Sequence, residues 1–189
     1  MARELVLASR SPRRRELLEM LGLPVRVQPA DIPEAIEPGE SPKAYVERLA
    51  VAKAQAVPGE FVLGADTIVV LDDTVLEKPR DEDEALSMLQ SLQGRTHQVV
   101  TACALSSPAG TTSATDMTLV TFRPLTEAFL RDYVATGEPL DKAGAYGIQG
   151  YGAALVERVE GDFFSVMGLP LRLVLDLLER GGWPYTFTR

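Results

Sequence analysis

The stretch Phe61 to Val70, FVLGADTIVV, is apolar at almost every position and lacks the two-residue alternation of a strand with one wet face. Such a run reads as a buried strand, and a buried strand has to be covered by other elements. The flanking sequence supplies them. Upstream, a strand is expected at Glu4–Ala8, a helix from Pro12 to about Leu21 with Ser11 as its N-cap, and a strand at Val25–Gln28. An acidic, proline-rich loop, PADIPEAIEPGES, then leads to Ser41, which caps a helix opening on Pro42 and carrying Tyr45, Leu49, Ala52 and Ala56 along one side. Lys53 follows Leu49 by four residues.

Downstream, Asp72-Asp73 reads as a turn before a short return strand, and Asp81 with Glu84 forms a capping box for a helix that Gly94 ends. Strands at about Gln98–Ser106 and Thr111–Phe122 flank SPAG as a hairpin. Thr126 caps a helix with Leu130, Tyr133 and Val134 inward, closed by Gly137. After a glycine-rich stretch, 137–152, come a strand at Ala153–Val159, a turn at Glu160-Gly161-Asp162 and an amphipathic helix from Leu169 to Arg180. Hairpins beside βα units predict an α/β architecture with a mixed, partly antiparallel sheet. The 189 residues suit one domain or two closely packed lobes.

Charge and scarce residue types remove whole classes of function. A net charge of −8 argues against a surface adapted to a nucleic-acid polymer or an anionic membrane. One His and one Cys are too few for a His/Cys zinc site, and a Cys–His pair or a Ser–His–Asp triad would need His97 in a single role. His97 opens a strand and reads as structural; Cys103, among Val99, Val100, Ala102 and Ala104, reads as a buried thiol. The apolar run after Arg3-Glu4 is too short for a signal-peptide core, and no segment reaches membrane-spanning length, so a cytoplasmic protein is expected. Carboxylates, Arg and Lys are the reagents that remain.

Four features could use them. In SRSPRRREL, Arg13, Arg14 and Arg15 crowd the first turn of a helix, where backbone N–H groups already make the site positive and each cation costs a few tenths to ~1 kcal/mol. A bound anion, held also by Ser9 and Ser11, would reverse that cost. Solvation, or pairing with Glu4, Glu16 and Glu19, would explain the arginines equally well. Asp66 is an ionisable group inside an apolar strand, next to Gly64 and Ala65, and is either a satisfied core aspartate or a working acid–base group. Lys78 is followed by Pro79, which holds the backbone extended. The last feature is TGEPLDKAGAYGIQGYG, a loop too long and too glycine-rich for a plain connector, with Asp141, Lys142, Tyr146 and Gln149 in it.

Taken in order, LASRSPRRRELL, YVERLAVAKA, VLGADTIVV, VLEKPRD, GRTHQVVTA, TGEPLDKAGAYGIQGYG and VMGLPL resemble the motifs of the Maf-like nucleoside triphosphate pyrophosphatases, also named septum formation inhibitor proteins. The resemblance runs from about Leu5 to the last helix. It implies a single Maf-like domain over 1–189, with two lobes around the mixed sheet, flanking helices and an active-site cleft between the lobes, similar to the inosine triphosphate pyrophosphatases. It implies cleavage between the α and β phosphates of dTTP and UTP, giving monophosphate and pyrophosphate, with Mg²⁺ or Mn²⁺. A sister subgroup prefers 7-methyl-GTP. Inosine-type house-cleaning and non-catalytic nucleotide binding in septum control are the rival readings, and the family's frequent homodimers make a second copy an expected partner.

Residue by residue, the resemblance makes Asp66 the proton acceptor. It puts Arg13, Arg14, Lys53 and Lys78 among the substrate-binding groups, which Ser9 joins from its place beside the arginines, and Glu34 with Asp66 at the metal. DIPE has Pro33 where a second acid is expected, which brings Asp31 forward beside Glu34. Arg13, Thr67 and Gln149 are the positions at which the pyrimidine subgroup differs from its sister. Gln149 has a physical rationale: one amide can pair with both the N3–H and the O4 of uracil or thymine, whereas the two donors of guanine suit a carboxylate.

Overall fold

The computed structural model describes residues 3–187. Its strands are β1 (Leu5–Leu7), β2 (Val25–Val27), β3 (Phe61–Leu71), β4 (Thr74–Leu76), β5 (Thr96–Ser107), β6 (Gly110–Phe122) and β7 (Val156–Glu160). Its helices are α1 (Pro12–Met20), α2 (Pro42–Ala56), α3 (Glu82–Leu92), α4 (Glu127–Val134), α5 (Phe163–Val166) and α6 (Leu171–Arg180). The seven strands form one mixed sheet in the order β2-β1-β3-β5-β6-β7, with β4 paired to β3. β1 is parallel to both β2 and β3, with Leu5 opposite Val25 and Phe61. Parallel neighbours need crossovers, and α1 and α2 supply them.

Local chemistry explains most of these elements. Ser11, Ser41, Asp81 and Thr126 each accept a backbone N–H at the start of a helix, as expected of N-caps. Asp72 and Asp73 both take positive φ, 48° and 65°, in the two-residue turn between β3 and β4. The capping box at α3 is displaced by one residue: Glu84 receives the Arg80 N–H at 2.6 Å as well as the Arg80 guanidinium at 3.0 Å.

Three expectations shift. The buried side of α2 is Tyr45, Val46, Leu49, Ala50, Lys53 and Ala54, while Ala56 is exposed, because the small residues Ala50 and Ala54 turn toward Gly64 of β3. Residues 153–155, expected to open a strand, belong instead to a 3₁₀ turn over Gly150–Leu155, so β7 begins only at Val156. Asp162 does more than turn the chain: it caps the short helix α5 by accepting from Phe164 and Ser165.

The chain forms two compact units. One comprises the residues up to Asp66, Thr101–Asp116 and those from Gly168; the other comprises Thr67–Val100 and Met117–Met167. Within the second, Val69, Leu71, Leu89, Leu92, Phe122 and Leu130 belong to one apolar cluster with Tyr133, Tyr146 and Leu155.

His97 lies in this unit, 2% exposed, with Nε2 2.8 Å from the Tyr146 hydroxyl and its ring edge-on to Phe122. It is structural, as expected. Burial pushes its pKa down from 6.5 to about 4, so the unfolded chain binds the extra proton between those values. Stability from this group is complete above pH 6.5 and is lost as pH falls toward 4, by ~2 kcal/mol between pH 7.5 and 5. Urea unfolding at both pH values checks this: His97→Gln should lose less stability on acidification than wild type by about that amount, and equal losses would remove His97 from the pH response.

Candidate active site

The site grows from one close approach. At Gly64 in β3 an added Cβ would strike the Ala50 carbonyl of α2 and lie 2.6 Å from the Ala54 nitrogen, so helix and strand backbones touch there. Only glycine permits that approach. One turn along α2 from Leu49, Lys53 therefore lies over the strand two residues before Asp66, and its ammonium sits 2.7 Å from Asp66 Oδ1. The same ammonium is 2.7 Å from Glu34 Oε1 in the acidic loop. The Lys53 and Asp66 side chains are 9% and 12% exposed, that of Glu34 48%.

Burying such a pair is costly, and well-packed apolar residues would hold the fold at least as well. That cost makes the pair a candidate for chemistry, beside a structural role between strand and helix. Asp66 is thus a satisfied carboxylate, and its partner is a cation that also holds a second carboxylate.

Two side chains of α2 hold the acidic loop in place: Arg48, which sequence reasoning passed over, and Tyr45, which it read only as part of the helix's apolar side. Arg48 donates from Nε and Nη2 to the two carboxylate oxygens of Glu40, each at 2.7 Å, and from Nη2 to the Ala35 carbonyl at 2.9 Å. These bonds pull the Glu40 carboxyl down to about 2. The Tyr45 hydroxyl donates to the Glu34 carbonyl at 3.2 Å. The only sequence signal was their spacing on the helix that also carries Lys53.

The arginines at the start of α1 have three different fates. Arg15 pairs with Glu19 one turn on, both exposed, which is the solvated outcome. Arg13 is half-buried in the first turn. Arg14 turns inward, donating from Nε to the Gly168 carbonyl at 2.8 Å and from Nη1 to the Ala65 carbonyl at 2.8 Å and to the buried Ser9 hydroxyl at 3.1 Å. Desolvation pulls its pKa below the usual arginine value, against the pull of Asp66. Ser9 also accepts the Ser11 N–H at 3.2 Å, so one hydroxyl organises the turn between β1 and α1.

The first unit thus brings together Ser9, Arg14, Lys53, Glu34 and Asp66, with Arg13 in the first turn of α1. Thr67, Lys78 and Gln149 belong to the second unit: Thr67 is half-buried in β3, Lys78 is exposed in the loop after β4, and Gln149 is exposed in the glycine-rich loop. Asp31 is exposed and has no partner role shown. Cys103 is buried, and burial pushes its thiol up to about 12, which removes it as a nucleophile at neutral pH.

Carboxylate oxygens are hard donors of the kind Mg²⁺ and Mn²⁺ take, and Mg²⁺ typically uses one or two carboxylates alongside water and phosphate oxygens. Glu34 and Asp66, brought to one ammonium, fit that description. No cluster of three or more His, Cys, Asp or Glu side chains that could hold a metal ion occurs among the described residues.

A family model described as Maf-like protein matches residues 4–181. The chain belongs to the Maf-like family. Among curated Maf-like relatives, one from Anaeromyxobacter dehalogenans (strain 2CP-1 / ATCC BAA-258) is 52% identical over 193 residues, covering 100% of both chains, and is named dTTP/UTP pyrophosphatase. Proteins of the same name from Geobacillus sp. (strain WCH70) and Yersinia pestis bv. Antiqua (strain Antiqua) are 48% and 52% identical, covering 96% and 93% of this chain and 100% and 91% of their own. Among solved structures, that of the Staphylococcus aureus Ham1 protein matches 82% of this Maf-like chain and 80% of its own, at 15% identity and a TM-score of 0.49. That likeness is too distant to bear on activity.

Proposed function

We infer that this Maf-like protein is a nucleoside triphosphate pyrophosphatase that hydrolyses dTTP and UTP to the monophosphate and pyrophosphate. The observation that carries the reading is identity of about half over the full length to relatives named for that activity. The buried Lys53–Asp66 pair beside the arginine-bearing start of α1 suits the chemistry.

Asp66 takes the proton of the attacking water, whose oxygen forms a bond to the α-phosphorus as the bond to the bridging oxygen of the β-phosphate breaks. Lys53 holds the Asp66 carboxylate in place and, with Arg13, Arg14, Ser9 and Lys78, offsets charge on the triphosphate and the departing pyrophosphate. Glu34 and Asp66 are the residues we assign to a divalent cation, Mg²⁺ or Mn²⁺, which when bound offsets phosphate charge. Thr67, Arg13 and Gln149 set base choice.

No helix among the described residues is long and apolar enough to cross a membrane. A cytoplasmic enzyme acting on free nucleotides, built as one Maf-like domain and pairing with a second copy, completes the proposal; the family match over 4–181 and the net charge of −8 support the first two parts.

Pyrophosphate release from a panel of dTTP, UTP, CTP, GTP, ITP and 7-methyl-GTP with Mg²⁺ tests the reading. dTTP and UTP should lead, and Gln149→Glu should lower their kcat/KM by about 10–100-fold while sparing purine nucleotides, since it leaves the pyrimidine edge with an unmatched group. A panel led by 7-methyl-GTP or ITP would replace the substrate assignment, and an unchanged profile in Gln149→Glu would remove the contact.

A further inference from the structure

Gln149 is exposed, yet the backbone on either side of it is tied down by two side chains from the segment before it. Glu138, just after α4, accepts the Gly152 N–H at 2.9 Å and the Tyr133 hydroxyl at 3.0 Å on Oε1, and the Tyr151 N–H at 2.9 Å on Oε2. The Tyr133 hydroxyl in turn accepts the Gly147 N–H at 3.3 Å. One carboxylate and one phenol therefore hold positions 147, 151 and 152, with Gln149 between them. Ile148 is buried and anchors the near side.

The glycines around Gln149 are shaped to this frame. A Cβ on Gly150, whose φ is +67°, would lie 2.5 Å from Glu138 Oε2. One on Gly152 would strike the Gly147 carbonyl and come 2.9 Å from the Tyr133 hydroxyl. Lys142 closes the base of the loop, donating to the Glu138 carbonyl at 2.5 Å and to Asp141 at 2.6 Å. Without these bonds a glycine-rich, exposed segment would sample many conformations, and binding would have to order it. With them, the backbone on both sides of Gln149 is held before a nucleotide arrives, and less ordering is left for binding to supply.

We propose that Glu138, assisted by Tyr133, is a positioning residue that presets the Gln149 amide for the pyrimidine base, so that base preference depends on a carboxylate that does not itself contact the nucleotide. This rests on Gln149 as the base-reading residue. All three partners of the carboxylate are donors, so Glu138→Gln, with nearly the same shape, sets an amide NH₂ against an N–H or O–H however it turns.

The test is steady-state pyrophosphate release from UTP and GTP by wild type, Glu138→Gln, Gln149→Ala and the double variant. Glu138→Gln should raise KM for UTP about 10-fold, equivalent to ~1.4 kcal/mol. Its kcat should move less than about 2-fold, and the UTP-to-GTP ratio of kcat/KM should fall in parallel. In the Gln149→Ala background the same substitution should cost less than about 2-fold, because the residue it positions is gone.

An equal loss in both backgrounds, or an unchanged UTP-to-GTP ratio, overturns the proposal by showing that Glu138 acts on the fold at large or not at all. Should Glu138→Gln fail to fold, Tyr133→Phe frees the Gly147 N–H and takes one donor from Glu138 while leaving its bonds to Tyr151 and Gly152, and it should show a smaller loss, about 3-fold, with the same dependence on Gln149. Wild-type protein that releases no pyrophosphate from UTP overturns the underlying function instead, and active wild type with indifferent variants overturns only the positioning role.

Discussion

Asp66→Asn is expected to lower kcat for UTP by about 10²–10⁴-fold while leaving nucleotide affinity at or slightly above the wild-type level, the usual range for loss of a positioned general base. The side chain keeps its shape, and its amide oxygen can still accept from the Lys53 ammonium, which now stands 2.7 Å from Asp66 Oδ1 and from Glu34 Oε1. The fold should therefore survive. What is lost is the ability to take a proton from water, while the amide oxygen and Glu34 remain to hold the divalent cation. Removing a negative charge near bound phosphates does not weaken their binding and can strengthen it. Pyrophosphate release gives kcat, and titration calorimetry with a non-hydrolysable UTP analogue gives affinity. Turnover within about 3-fold of wild type would take the proton-acceptor role away from Asp66.

The second large effect is structural in origin. Gly64→Ala puts a methyl group against the Ala50 carbonyl and 2.6 Å from the Ala54 nitrogen, and both obstacles are backbone inside a helix rather than the end of a flexible side chain. Relief requires α2 to move away from β3. Overpacking of this kind costs about 3 kcal/mol or more, a fall of roughly 6–12 °C in Tm for a domain of this size. The displacement acts on Lys53, which α2 carries over Asp66, so activity should fall further than the loss of folded protein accounts for. Thermal unfolding and pyrophosphate release at a temperature where the variant is folded separate the two effects. A Tm within 2 °C of wild type with full activity would show that the strand and helix can part without consequence.

Much of this was legible in the residues. Caps, turns and buried runs are set by interactions spanning a few positions, so Ser11, Ser41, Asp81 and Thr126 mark helix starts, and Asp72-Asp73 marks a turn, without knowledge of the rest of the chain. An ionisable group in an apolar strand marks Asp66 as something to be explained. The departures have non-local causes. Residues 150–155 carry small and apolar side chains compatible with a strand, and they are drawn into a 3₁₀ turn because Glu138 takes the Tyr151 and Gly152 N–H groups. The buried side of α2 is set by where Gly64 lets it touch β3, and alanines at several helical positions would have made an equally apolar stripe.

By itself the sequence determined most of the strands and helices, which residue types are left to do chemistry, and that a carboxylate would be buried, since each follows from local preference and from the cost of placing charge in an apolar run. Only the tertiary structure decided that Lys53 is the cation which satisfies Asp66, that it shares itself with Glu34, that Arg14 turns inward while Arg15 stays in solvent, and that Glu138 grips the loop bearing Gln149. Those choices depend on distances between groups far apart along the chain, and such distances come from how backbones pack, which no short stretch of residues encodes.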